Sequence, residues 1–167
     1  VDHDLELFPH DVVFESSAGF TAVTYALDSV QWLPQWPDNR GDLAIVTLEE
    51  DAPQSAKRYP LYGGTREVGR SFVMTGYGSP GHGASGANDT DGEMPTKRAG
   101  LNRYDGIRDD YEGVDFLAYD FDNGLAENNA LASLDFDSDL GFGPDEINSA
   151  KGDSGGPTFI DGMLAGV

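Results

Sequence analysis

Apolar residues in this chain come in short runs broken by glycine, proline and acidic residues, and none keeps a helical spacing long enough to specify a helix. Leu5, Leu7, Phe8, Val12, Val13 and Phe14 surround Pro9 and predict a strand near residues 11–15. Ser16-Ser17-Ala18-Gly19 then turns the chain into a returning strand from Phe20 to about Ala26. Val30-Gln31-Trp32-Leu33 reads as a separate short strand stopped by Pro34 and Pro37. Leu43-Ala44-Ile45-Val46-Thr47-Leu48 is a continuous run of the kind expected of a buried strand. Residues 49–64 are polar with Pro and Gly, and read as a connection.

A second series of strands begins near Thr65. Ser71 to Thr75, Lys97 to Tyr104 and Asp115 to Phe121 predict strands, with a long, mobile, Gly/Ser/Asn/Asp-rich loop over 79–96 and an acidic loop from Asp135 to Gly143. Thr158-Phe159-Ile160 and Met163-Leu164-Ala165 flank Asp161-Gly162, a pair suited to the type I′ hairpin, whose two central residues both need positive φ. Short strands at this spacing, with no repeat and no heptads, define an all-β chain of two parts, 1–64 and 65–167.

Composition supports this picture: Gly (22) and Pro (9) supply turns. Thirty acidic against ten basic residues give a formal net charge of −20, which repels nucleic acids and anionic membranes and argues against both as partners. No apolar run is long enough for a membrane-spanning helix. The acidic excess reads first as a solvated surface suited to salty surroundings. Clusters such as Asp120-Asp122-Asn123 or Asp135-Asp137-Asp139 keep calcium as a candidate ligand, although no stretch matches an EF-hand loop. The absence of cysteine excludes disulfides and thiolate metal sites.

The chemistry concentrates in Gly152-Asp153-Ser154-Gly155-Gly156-Pro157. Attack on a carbonyl needs an exposed hydroxyl and nearby donors for the developing oxyanion. Glycines on both sides of Ser154 allow a sharp turn that aims backbone N–H groups inward, and the donors here would be Gly152 and Ser154. Two further motifs lie upstream in order: Gly41-Asp42 opening the strand Leu43 to Leu48, and Phe72-Val73-Met74-Thr75 running into Gly76-Tyr77-Gly78.

Together these motifs resemble the trypsin/chymotrypsin family of serine endopeptidases, from about residue 11 to the end. The resemblance implies two packed antiparallel Greek-key β-barrels of the chymotrypsin-like kind, both truncated. It implies cleavage of a polypeptide substrate through an acyl-enzyme, with Ser154 as nucleophile, Asp42 orienting a histidine base, and Gly152 and Ser154 as oxyanion donors. Asn148 would lie at the base of the specificity pocket, where a neutral side chain gives no electrostatic reason to prefer Arg or Lys. Asp153 would pair with a newly freed α-amino group, or hydrogen-bond elsewhere in its absence. No cofactor is implied, and a secreted or extracytoplasmic protein, monomeric when complete, is expected.

Two departures follow. No histidine stands in the family's motif: His3, His10 and His82 have other neighbours, and His82 lies between Asp42 and Ser154 in the chain. The segment expected after Val167 to line the substrate groove is also missing, so both ends are expected to be cut. The alternative is a non-catalytic, protease-like module that binds peptides.

Overall fold

The structure is a computed structural model and describes residues 11–14, 23–32, 43–82, 86–87, 96–111, 114–134 and 140–167. It is mostly antiparallel β-structure with a few single 3₁₀ turns, and among the described residues no sheet closes into a barrel. The chain divides into two compact units: residues 1–58 with 111–114, and residues 59–110 with 115–167. No helix among the described residues is long and apolar enough to cross a membrane.

The first unit holds a three-stranded antiparallel sheet in the order β1 (Asp11–Phe14), β2 (Val23–Trp32), β3 (Ala44–Leu48). The returning strand and the short strand around Trp32, expected to be separate, are one ten-residue strand. The reason is a bulge at Asp28: Leu27 pairs with Leu48, but Ser29 already pairs with Thr47. One extra residue inverts the alternation. Tyr25 and Leu27 before the bulge therefore share a face with Val30 and Trp32 after it. Their partners Ala44, Val46 and Leu48 on β3 and Val12 on β1 extend that apolar face. Phe14 and Tyr25 meet edge-on across it, with ring centroids 5.3 Å apart.

The expectation that β3 is buried is corrected. Ile45 is 65% exposed, because it sits opposite Gln31 on the polar face. An antiparallel sheet can leave one face in water, and an apolar run on such a strand does not imply burial on both sides.

The second unit carries a four-stranded antiparallel sheet in the order β11 (Met163–Gly166), β10 (Thr158–Ile160), β4 (Ser71–Gly76), β7 (Arg98–Arg103). Between β4 and β7, β5 (Gly81–His82) pairs with β6 (Gly86–Ala87), so part of the segment read as one long loop is a small ladder. A hairpin of β8 (Gly106–Tyr111) and β9 (Val114–Ala118) follows β7; the charged run of β8 had given no strand signal. The β10–β11 turn is of the expected kind, with φ of 51° at Asp161 and 77° at Gly162. Residues read as part of the connection run beside β11: the Tyr62 N–H donates to Leu164 O and the Leu164 N–H to Pro60 O, both at 2.8 Å.

Alternation on β4 builds the core. Phe72 and Met74 point inward, and Ile160 is fully enclosed beside them. Tyr104 stacks on Phe72 with centroids 4.2 Å apart, and Tyr119 meets Phe72 at 5.1 Å edge-on. Buried hydroxyls need partners, and Tyr104 and Thr158 satisfy each other at 2.6 Å. Buried Asn102 on β7 ties two later segments to the sheet. Its Nδ2 donates to the carbonyls of Asp120 and Ile147, each at 2.7 Å.

Candidate active site

Ser154 lies in the loop between Glu146 and β10, which the sheet holds at several points. The Ser79 N–H donates to Lys151 O at 3.0 Å, and the Thr75 N–H donates to Pro157 O at 3.2 Å. Within the loop, Asp153 N–H donates to Ala150 O and Gly156 N–H to Asp153 O, closing two successive tight turns. Gly152 and Gly155 take φ of 96° and 78°, which a side chain would oppose. At Gly156 a Cβ would stand 2.7 Å from the carbonyl oxygen of Asp153 and 2.9 Å from that of Thr75. The three glycines of the motif are thus needed for backbone reasons.

Asp153 is the anchor. Its Oδ1 accepts from the Gly78 N–H at 2.7 Å and its Oδ2 from the Ala150 N–H at 2.9 Å. A carboxylate bound by backbone donors forms charge-assisted bonds stronger than neutral ones. The carboxylate packs so closely that a Cβ at Gly76 or Gly78 would overlap it. Gly76-Tyr77-Gly78 is therefore a cradle for the Asp153 side chain. Two motifs 75 residues apart in sequence meet here, and Asp153 finds one partner on this backbone and the other in its own loop.

Ser154 itself is exposed. Among the described residues, none hydrogen-bonds its hydroxyl or accepts from the N–H groups of Gly152 and Ser154. Ser154, Gly155 and Gly156 border a cavity of about 440 Å³, walled by Tyr104, Phe116, Leu117 and Tyr119 among others. Asn148 is exposed, accepts from the Ser149 N–H at 2.8 Å, and borders a different cavity of about 370 Å³ together with His82 and Arg98. Ser149, Ala150 and Asp153 lie between the two cavities and line both. Asp42, His3 and His10 lie outside the described residues, as do the acidic residues 135–139.

A second polar centre was not legible as a unit. Asp120, Asp122 and Glu146 are all buried, and each offers a carboxylate oxygen within 4.8 Å of the others. Burial raises the Glu146 pKa above the ordinary carboxyl range, and the Asp122 and Asp120 charges add to the rise; the N–H groups of Asp122 and Phe142 oppose it. Asp105 is raised for the same first reason, burial, with the Asp120 N–H and the Arg103 charge pulling it back. The Asp-x-Asp spacing was visible in the sequence, but the pairing with a residue 24 positions away was not.

Comparison with known proteins yields no matching family model, no matching curated protein and no matching solved structure.

Proposed function

We propose that this chain carries the nucleophile and oxyanion segment of a trypsin-like serine endopeptidase, acting on polypeptides through an acyl-enzyme. The observation that carries the reading is the loop of Ser154: an exposed hydroxyl beside two backbone N–H groups with no described acceptor, on a turn locked by the carboxylate of Asp153. Such donors stabilise an oxyanion only when held in place before reaction. The cradle of Gly76 and Gly78 supplies that rigidity.

In this reading Ser154 attacks, Gly152 and Ser154 donate to the tetrahedral oxygen, and Asp42 orients a histidine that takes the serine proton. His82 is exposed and borders the cavity of Asn148 rather than that of Ser154, so it is not assigned as the base. The two-barrel chymotrypsin-like architecture, the specificity role of Asn148 and an extracytoplasmic location belong to the same proposal and rest on the resemblance.

The test is labelling of the full-length gene product by a fluorophosphonate, with the modified residue mapped by mass spectrometry. Modification is expected at Ser154 and absent in Ser154→Ala. Asp153→Ala should lower the labelling rate by at least about 100-fold, the scale of losing an oxyanion donor. A protein that binds peptides but is never modified at Ser154 would instead be the non-catalytic module.

A further inference from the structure

Three buried carboxylates within reach of one another, none of them ion-paired among the described residues, require an explanation. Asp120 and Asp122 lie two positions apart just after β9, and Glu146 stands beside β7, where its backbone bridges Leu101. Each carboxylate is positioned by backbone donors. Asp120 Oδ2 accepts from the Leu131 N–H at 3.2 Å, Asp122 Oδ1 from the Gly124 N–H at 2.7 Å, and Glu146 Oε2 from the Asp122 N–H at 3.0 Å. Gly141 takes a φ of 50°, and a Cβ there would overlap Glu146 Oε1, so the chain folds tightly over this side chain.

One atom is left over. Asp122 is 2% exposed, and its Oδ2 is closed to water and has no hydrogen-bond partner. Asp120 and Glu146 are 7% and 6% exposed. No described lysine, arginine or histidine forms an ion pair with any of the three. A buried carboxylate oxygen with neither donor nor cation is costly, and like charges beside it add to the cost. A cation removes both penalties at once.

We propose that Asp120, Asp122 and Glu146 bind one divalent cation of the calcium type. The donor set is all oxygen, which selects a hard cation over zinc or copper. Calcium holds oxygens at about 2.3–2.6 Å, so oxygens on opposite sides of it stand about 5 Å apart. The three oxygens lie within 4.8 Å of one another, close enough to reach one such cation, and a buried cage of protein oxygens suits calcium better than magnesium, which dehydrates reluctantly and keeps several waters. Bidentate carboxylates, water and backbone carbonyls complete the shell. Glu146 opens the segment that leads through Asn148 to Ser154, so the bound cation fixes the start of that segment.

The experiment is calorimetric titration of the chain with calcium chloride and, separately, magnesium chloride, at fixed ionic strength so that screening of the net −20 charge stays constant. One saturable calcium site is expected, tighter than magnesium, with a calcium-dependent rise in melting temperature that chelation reverses. Asp122→Asn should weaken calcium binding by at least about 10-fold, since affinity follows ligand charge. Glu50→Gln, an exposed change elsewhere, should leave it unaltered. Equal affinity in wild type and Asp122→Asn, or no saturable calcium site in the wild type, overturns the proposal. If Asp122→Asn does not fold, Glu146→Gln decides by the same criterion.

Discussion

The two units use the same element, the antiparallel strand, to different effect. In the first, β1, β2 and β3 pair with a bulge at Asp28 and gather Val12, Tyr25, Leu27, Val30, Trp32, Ala44, Val46 and Leu48 on one face, yet none of these is fully buried. In the second, the buried apolar side chains Phe72, Met74, Tyr104, Leu131 and Ile160 are all found together with a buried polar framework of Asn102, Thr158 and Glu146. Alternation therefore specifies a strand and its faces, but a core also needs other segments laid over the face. In the second unit Tyr104, Tyr119 and Ile147 provide that cover, Asn102 ties the segments of Asp120 and Ile147 to the sheet, and the Ser154 turn follows Ile147 in the same loop.

The sharpest way to break this contrast is at Phe72. Phe72→Ala removes a ring touched by two tyrosines and should cost about 3–5 kcal/mol, read by urea denaturation. A loss below about 1 kcal/mol would mean that the second unit is no better packed than the first.

Next in size is the alkaline arm of stability. Burial raises the Tyr104 pKa, with the hydrogen bond to Thr158 pulling the other way. An unfolded tyrosine ionises near pH 10, so this contribution is fully present below about pH 10 and is lost as pH rises toward the higher folded value. Melting temperatures measured from about pH 8 to 11 should fall along that arm. Tyr104→Phe should cost about 1 kcal/mol at neutral pH through loss of the hydroxyl pair, and should flatten the fall. An unchanged alkaline profile in the variant would remove Tyr104 as its source.

The smallest effect belongs to the first unit. Ile45→Thr keeps a β-branched residue on the polar face of β3 and should change stability by no more than about 0.5 kcal/mol. The same measurement showing a loss above about 2 kcal/mol would reveal that this face is covered.

Much of the strand plan could be read in advance because it depends on local rules. β1, β3, β4, β7 and the β10–β11 hairpin fall close to the expected residues. The exceptions have identifiable causes. The two pieces of β2 looked separate because Asp28 and Ser29 interrupt the apolar pattern, and only the bulge shows that the interruption restores the face. β8 was missed because Arg108, Asp109 and Asp110 carry no apolar alternation. β3 was taken as buried because a continuous run cannot say which of its residues faces solvent.

For the candidate site, the sequence by itself determined the Ser154 turn and its glycines, since a sharp turn there requires residues that tolerate positive φ. Tertiary structure decided what holds that turn. Asp153 is bound by the backbone of Gly78, and the glycines of Gly76-Tyr77-Gly78 are there to admit its carboxylate. It also assembled Glu146 with Asp120 and Asp122 into one acidic centre. A carboxylate looks alike in sequence whether it is solvated or buried. Only the folded chain fixes which backbone donors it meets and which oxygen is left without one.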